Sequence, residues 1–279
     1  MAANVEQLGP KEAEALRALL AKDPVQNLYL LGLFEEFGIV PRPGRAPFAF
    51  YGRFKGGSLV SALFVGGDGG LVVPSADDPA DVSEIASTLA NKVKLRSCIG
   101  IKPAVDALVR HLCAEKPALS RTQRLFKVSA DDLGPFTNPT LRLATPEDLP
   151  ELVPLAAGAV KETVERDPLA EDPDGFRARV MQRVRGKRTY VLRVDDKLVF
   201  KIDVGSRSQY GAELEGLYTL PEERRKGHAT LSLGQISRHL LSSLPRLTLR
   251  VDDKDPSLAG VARKVGFNSG KAQRLVVSG

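Results

Sequence analysis

The stretch that decides the fold is AELEGLYTLPEERRKGHAT, residues 212–230. Its first part predicts a strand that ends at Pro221, and a helix is predicted to begin at Gly227 after a short loop. A helix start offers unpaired backbone N–H groups and the positive end of the helix dipole. Positive side chains at the same place are Arg224, Arg225 and Lys226. The segment therefore predicts a cradle for a phosphate group.

Outward from this segment, the chain shows two halves with a similar order of elements. The predicted boundary is DDLGPFTNPT, residues 131–140, which is rich in Gly, Pro and Asn. Both sides of it mix helical stripes with consecutive hairpinned strands, which indicates an α/β fold with a mixed sheet. We therefore predict two related domains in tandem, residues 1–136 and 137–279, each a mostly antiparallel twisted sheet flanked by helices.

Composition and charge narrow the classes of function. No apolar run approaches the roughly 18 residues of a membrane span, and the start of the chain has no signal-peptide pattern. Two cysteines and three histidines cannot form a disulfide framework or a zinc site. The net charge of +6 divides into +1 over residues 1–136 and +5 over residues 137–279, without a long basic run. These features predict a soluble, cytoplasmic, metal-free protein that binds a small polyanion rather than nucleic acid or a membrane.

The segment Arg224-Arg225-Lys226-Gly227-His228-Ala229 resembles the pyrophosphate-binding signature of the GNAT acetyltransferase superfamily, which reads Gln/Arg-x-x-Gly-x-Gly/Ala. Downstream, VDDKDPSLAGVARKVGF (residues 251–267) resembles that family's second motif, a helix followed by Gly-Phe. The two motifs stand in the family's order and about 40 residues apart, a combination far more specific than either motif alone. The resemblance covers residues 140–279.

The resemblance implies an acetyl-CoA-dependent N-acetyltransferase, in which the amine of an acceptor attacks the acyl group directly. The acceptor would be a small molecule or a protein. By the family's pattern, the strand positions that bond the pantetheine arm are Leu217, Tyr218 and Thr219. The positions of the pyrophosphate loop are Arg224, Arg225, Lys226, Gly227, His228, Ala229 and Thr230. Asp255 takes the place of the family's Asn in the second motif.

The incoming ammonium must lose a proton before it attacks, so a base is needed. Glu213 and Glu215 lie two apart on the strand and are expected to share one face with Leu217. Glu213 stands at the offset where several members of the family have a glutamate base. For each carboxylate the alternative is an ion pair with an arginine. The family's usual Tyr proton donor is replaced by Ala262, and the nearest other hydroxyls are those of Ser257, Tyr218 and Tyr190.

Residues 1–136 resemble the degenerate GNAT-like domain that precedes the acetyltransferase domain in some bacterial members. They contain no Arg-x-x-Gly-x-Ala loop, so we predict no coenzyme site there. The segment GGDGG at 66–70 has strands on both sides, which favours a hairpin turn over a phosphate loop. Two such domains in one chain predict a pseudo-dimer within a monomer.

Other interpretations stay open. Ala262 in place of Tyr is compatible with a non-catalytic acyl-CoA-binding or regulatory module. A third possibility, an aminoacyl- or peptidyl-transferase built on twin folds, needs no pyrophosphate grip, so the intact loop disfavours it. A basic set around the helix at 173–186 is either a solvated face or a contact for an acidic substrate or the coenzyme 3′-phosphate. Its members are Arg177, Arg179, Arg183, Arg185, Lys187 and Arg188.

Overall fold

The computed structural model describes residues 4–44, 46–67, 69–113 and 115–278. The chain divides into two compact units. The first contains Met1–Leu125, Asp252–Lys254 and Gly270–Gly279, and the second contains Phe126–Val251 and Asp255–Ser269. Residues 126–136, which the sequence prediction gave to the first domain, thus group with the second unit.

The helices and strands of the two units follow the same pattern. The first unit contains β1 (Asn4–Gln7), α1 (Ala13–Ala21), α2 (Leu28–Phe37), β2 (Phe48–Lys55), β3 (Ser58–Gly66), β4 (Leu71–Ala76), α3 (Pro79–Leu89), β5 (Ser97–Ile101), α4 (Lys102–Leu112) and most of β6 (Leu119–Val128). The second contains β7 (Arg142–Leu143), α5 (Leu149–Val164), α6 (Pro168–Glu171), α7 (Pro173–Arg185), β8 (Thr189–Val194), β9 (Lys197–Ser208), β10 (Gly211–Thr219), α8 (His228–Leu241), most of β11 (Leu247–Asp252) and α9 (Pro256–Val265). The last strand is β12 (Asn268–Val277).

The strand order shows that the two units share one topology. In the first unit the order is β1-β2-β3-β4-β5-β12-β6, and in the second it is β11-β10-β9-β8-β7. The pair β4–β5 is parallel, as is β10–β11, and a helix joins the strands of each pair. In the first unit, β1 pairs antiparallel with β2, β2 with β3, β3 with β4, and β5 with β12. In the second unit, β7 pairs antiparallel with β8, β8 with β9, and β9 with β10. The predicted fold class, tandem α/β domains with mostly antiparallel sheets, is confirmed.

The last strand of the chain completes the sheet of the first unit. Residues 273–277 of β12 pair antiparallel with residues 97–101 of β5. Val276 is 2% exposed and belongs to the apolar core that α3 and α4 form with the sheet. The sequence prediction placed this strand in the domain 137–279, together with the helix before it. Its apolar alternation identifies a strand but carries no information about which sheet receives it.

The sheet of the second unit is covered on both faces. On one face, α8 and α9 contribute Leu233, Ile236 and Val265 to a core with Leu214 and Leu249. On the other face, α5 and α7 pack Leu152, Phe176, Val180 and Val184 against Val191 and Leu198. The apolar side chains of Phe176, Val180 and Val184, spaced four apart on α7, therefore face the sheet. No helix in the described ranges is long and apolar enough to cross a membrane.

The glycine-rich segment 66–70 links β3 to β4. Gly67 and Gly69 have φ angles of 54° and 93°, which favour glycine. Asp68 between them lies outside the described residues. A turn between two antiparallel neighbours agrees with the hairpin interpretation of this segment.

Candidate functional site

The loop after β10 leads into a helix start with free backbone donors. Gly227 is the residue that precedes α8, and its φ of 89° suits glycine. Leu231 N donates to Gly227 O at 3.1 Å, the first hydrogen bond of the helix. Within the described part of the chain, the N–H groups of residues 225–230 donate to no acceptor. Six consecutive N–H groups at the positive end of a 14-residue helix form a strong anion cradle.

The cations of this loop differ in what they contact. Arg225 is exposed and has a φ of 65°, a left-handed backbone conformation. Lys226 Nζ lies 3.0 Å from Glu223 Oε2, and His228 Nε2 lies 3.4 Å from the same oxygen. Lys226 lowers the pKa of the Glu223 carboxyl, with a smaller contribution from His228. The loop keeps net positive charge beside the free amides.

The Arg224 side chain is 42% exposed and fastens the loop through its contacts. Its Nε donates to Thr219 O at 3.0 Å, and its Nη2 lies 2.5 Å from Glu162 Oε1 on α5. Its guanidinium also lies over the Tyr218 ring, 5.4 Å from the ring centre. These contacts tie the loop to the end of β10 and to α5. Arg224 thus positions the cradle through its own contacts with neighbouring residues.

A bulge at Gly216 changes the alternation of side chains along β10. The register with β9 shifts between Glu215 and Tyr218, and Gly216 has a φ of 57°. Leu217 packs on the core under α8 and α9, whereas Tyr218 packs with α5 on the opposite face. Glu215 contacts Arg183 of α7, on the same side as Tyr218. The expectation that Leu217 shares a face with Glu215 is therefore wrong, because the extra residue of the bulge reverses the period of two.

The parallel neighbour of β10 covers only its first half. Residues 212–214 pair with residues 247–249 of β11, and β10 continues to Thr219 beyond this pairing. The bulge and the end of the pairing fall at the same place. A stretch of strand backbone, residues 215–219, therefore extends from the bulge toward the anion cradle with one edge beyond the ladder. Such an edge can bond an extended ligand as a strand would.

Glu213 is a buried member of an ion pair. Its side chain is 3% exposed, and Arg250 Nη1 of β11 donates to its Oε1. Thr248 Oγ1 lies 3.4 Å from the other oxygen. Burial raises the pKa of the Glu213 carboxyl, and Arg250 opposes this shift. The interpretation as a carboxylate paired to an arginine matches this geometry, and the side chain is almost fully buried.

Glu215 occupies a more open position. Its side chain is 32% exposed, and its Oε1 lies 2.6 Å from Arg183 Nη1. A Cβ at Gly205 would lie 2.5 Å from Glu215 Oε2, so the carboxylate rests on the Gly205 backbone. Of the two candidate bases, Glu215 is the one that a molecule in solution can reach.

Solved structures share this architecture over nearly the whole chain. A Drosophila protein is 15% identical and covers 99% of this chain with 98% of its own length, at a TM-score of 0.66. A tandem GNAT protein from the clavulanic acid biosynthesis pathway is 13% identical, with coverage of 99% and 98% and a TM-score of 0.57. The fold is that of a tandem GNAT protein. A GNAT-family acetyltransferase from Colwellia psychrerythraea is 12% identical, with coverage of 99% and 100% and a TM-score of 0.55.

No protein-family model matches the chain, and no curated protein matches it in sequence. At identities of 12–15% these likenesses establish the tandem GNAT fold alone.

The second motif of the GNAT-like fold forms α9 and the turn after it. The Asp255 side chain accepts a hydrogen bond from Leu258 N at 2.9 Å and so caps α9. Ala262 is fully buried in the core beneath α8 and α9. Gly266 ends the helix with a φ of 116°. Asp255, Ala262 and Gly266 of this motif therefore each have a structural role in α9 or in the turn after it.

The first unit of the tandem GNAT fold has a closed helix start at the corresponding place. The helix α3 follows β4 as α8 follows β10. Asp78 caps α3 by accepting from Ala80 N at 2.9 Å, and Pro79 removes one donor. Asp77 adds a further negative charge before the first turn, and the Asp81 carboxylate is paired with Arg53 and Lys55. An anion that α8 would attract is therefore disfavoured at α3.

The hydroxyls that could donate a proton lie in different settings. The Tyr218 hydroxyl packs on α5, since a Cβ at Gly158 would lie 2.6 Å from it, and burial raises the Tyr218 pKa. Tyr190 packs against the ring of His239 on α8, 6.1 Å between ring centres. Ser257 is exposed in the first turn of α9.

Sequence reasoning missed a group of polar residues on β8 and β9 near Glu215. Lys201, Asp203 and Thr189 are buried there, and Arg183 belongs to the basic set that had two interpretations. Lys201 and Asp203 are two apart in KLVFKIDVG, a polar alternation within an apolar strand. That alternation was the available signal, since polar residues two apart on a strand share a face.

Proposed function

We propose that the chain is an acetyl-CoA-dependent N-acetyltransferase whose coenzyme site lies in the second unit. The observation that carries the proposal is the row of six N–H groups at residues 225–230, none of which has an acceptor in the described structure. They offer the pyrophosphate a set of donors at a helix start. The edge of residues 215–219, which includes the bulge at Gly216, leads toward this cradle and suits the amide-bearing pantetheine arm.

In the proposed reaction, the acceptor loses a proton from its ammonium, and the nitrogen lone pair forms a bond to the acetyl carbonyl carbon. The carbon–sulfur bond then breaks and the thiolate leaves. The new amide nitrogen loses its second proton, and the thiolate takes up that proton to become the free thiol. Glu215 is the proposed base because it is reachable and lies beside the bulge. A thiolate with a pKa near 8.5 is a moderate leaving group, so the reaction does not require a strong acid at Ala262.

The cradle is tested by Gly227→Glu. A glutamate there is strained at a φ of 89° and adds a negative charge beside the pyrophosphate. We expect calorimetric titration to show acetyl-CoA affinity lowered at least a hundredfold, ~3 kcal/mol. The matched control is Gly260→Glu, at an exposed helical glycine where a Cβ meets open space. Equal affinity of the Gly227→Glu variant and the unmodified chain would show that the cradle is not the coenzyme site.

A non-catalytic acyl-CoA-binding module is the second candidate. The buried Ala262, at the position of the family's tyrosine, favours it. Release of free thiol from acetyl-CoA in the presence of a panel of amines separates the two. Turnover with any amine supports the enzyme, and binding without turnover supports the module.

A further inference from the structure

A cluster of charged side chains lies beside the bulge, on the α7 side of the second unit's sheet. Lys201 and Asp203 are 4% and 5% exposed. Lys201 Nζ lies 2.5 Å from Asp203 Oδ2, and Thr189 Oγ1 donates to the other carboxylate oxygen at 2.6 Å. A Cβ at Gly216 would lie 2.9 Å from Lys201 Nζ and 3.0 Å from Asp203 Oδ2. The buried pair therefore packs directly against the bulge.

The side of this cluster that faces solvent is a second ion pair, Arg183 with Glu215. Arg183 Nη1 lies 2.6 Å from Glu215 Oε1 and 3.5 Å from Asp203 Oδ2. The side chains of Arg183 and Glu215 are 41% and 32% exposed. An ion pair so open to water contributes little to stability. A ligand that supplies opposite charges can therefore replace it at small cost.

The charge of the cluster indicates which ligand fits. Arg183, Lys201, Asp203 and Glu215 together carry no net charge. Arg188 Nη1 donates to Gly205 O at 2.9 Å, below the Glu215 carboxylate, and adds one positive charge. An ammonium ion alone would add to this positive charge. An amine that also carries a carboxylate would satisfy both members of the open pair without adding net charge.

We propose, on the basis of the proposed function, that the acceptor is an α-amino acid. Glu215 receives its ammonium group, and Arg183 binds its carboxylate. Because the two side chains meet at 2.6 Å, a ligand that takes the place of their contact must hold its own two charges a few ångströms apart. An α-amino acid does so, and a guanidinium can hold its carboxylate through two parallel hydrogen bonds. Arg183 is thus a specificity-determining residue.

The test compares each of the twenty amino acids with its carboxamide as acceptor, with acetyl-CoA at saturation. For the best amino acid, we expect kcat/KM to exceed that of its amide at least tenfold. In Arg183→Met the two kcat/KM values should become nearly equal. In Arg183→Lys the preference for the amino acid should be smaller but still present. The matched control is Arg185→Met on the exposed side of α7, which should keep the whole ratio. If Arg183 had a purely structural role, Arg183→Met would lower kcat/KM for the amino acid and for its amide together and leave their ratio unchanged.

Two results overturn the inference. One is turnover of amides or simple amines with no preference for amino acids, which leaves the proposed acetyltransferase standing. The other is loss of kcat/KM for amino acid and amide alike in Arg183→Met. If titration shows no acetyl-CoA binding and no amine is acetylated, the proposed function fails, and the inference fails with it.

Discussion

At the scale of single residues, two glutamates on one strand have very different surroundings. Glu213 is enclosed and bonded by Arg250 and Thr248, whereas Glu215 meets Arg183 at the edge of solvent. Removing Glu213 would leave the Arg250 side chain, 8% exposed, without its carboxylate. Removing one member of a buried ion pair is costly to a fold. We therefore assign Glu213 to stability and Glu215 to the proposed chemistry.

The variant Glu215→Gln tests this assignment. If Glu215 is the base, turnover should fall roughly 10²–10⁴-fold because the ammonium is no longer deprotonated in place. Acetyl-CoA affinity should change little, since in the proposed site the amides of the loop, and not Glu215, bind the coenzyme. The lost rate should recover in part as pH rises and free amine accumulates. Steady-state thiol release between pH 6 and pH 10 measures all three, with the range chosen to span roughly the acceptor amine's titration.

The control for Glu215→Gln is Glu171→Gln, which removes a charge at an exposed position of α6. Its turnover should equal that of the unmodified chain. If Glu215→Gln and Glu213→Gln both keep turnover across the pH range, neither carboxylate is the base.

At the scale of elements, the helix N-termini in this chain have two different roles. The start of α8 leaves its N–H groups open, whereas α5 is preceded by a closed start. There, the Asp148 carboxylate accepts a hydrogen bond from Thr145 N at 2.8 Å. It also accepts hydrogen bonds from Nη1 and Nη2 of Arg142, at 2.6 and 2.8 Å. The Arg142 hydrogen bonds lower the pKa of the Asp148 carboxyl to about 2. A closed start adds stability, and an open one leaves its N–H groups available for the proposed coenzyme.

The variant Asp148→Asn tests the closed start. A carboxyl whose folded pKa lies below its ordinary value stabilises the fold above that ordinary value, and the stabilisation is lost as pH falls toward 2. We expect a loss of roughly 1–2 kcal/mol at pH 7, reduced by solvent around Arg142. The difference should shrink between about pH 4 and pH 2, as measured by urea unfolding.

The control for Asp148→Asn is Asp174→Asn, an exposed aspartate near the start of α7. It should leave the free energy of unfolding nearly unchanged. A loss in Asp148→Asn that stays constant from pH 7 to pH 2 would mean that packing, and not ionisation, is responsible.

At the scale of the whole molecule, the chain order of the two units is interleaved. The segment 255–269 belongs to the second unit, and the segment 270–279 returns to the first. In the first unit's sheet, β12 stands between β5 and β6. The first unit therefore cannot be complete when synthesis has reached residue 136. The last strand, β12, must be synthesised before the sheet of the first unit can be completed.

Removing residues 270–279 should destabilise the first unit. The truncated chain loses the pairing to β5 and the buried side chains of Leu275, Val276 and Val277. We expect it to be mostly insoluble, and we expect Val276→Asp in the full chain to lower the melting temperature by several degrees, at ~2 kcal/mol or more. Solubility on expression and thermal unfolding provide the measurements.

The control is Lys271→Ser on the same strand. Lys271 is exposed and makes one surface ion pair, 2.9 Å from Asp23, so its loss should cost less than about 1 kcal/mol. If the truncated chain melts at the temperature of the full chain, β12 is dispensable, and the first unit is complete without it.

Much of the candidate site could be predicted from residues near one another in sequence. The strand, cationic loop and helix of residues 212–230 depend on local propensity, and the left-handed Gly227 is a local requirement of the helix start. The interpretation of Glu213 and Glu215 could not be settled in this way. Their partners Arg250 and Arg183 lie 37 and 32 positions away, and no spacing rule connects them.

The sequence by itself determined the element order, the tandem repeat and the place of the anion cradle, because each depends on periodicity or on turn chemistry within a few residues. Only the tertiary structure decided three other matters: the bulge that moves Leu217 to the opposite face, the charged cluster around Lys201 and Asp203, and the return of β12 to the first unit. The physical reason is the same in each case. Sheet register and strand pairing are fixed by hydrogen bonds and burial between distant segments, and an alternating pattern specifies a strand without specifying its neighbour.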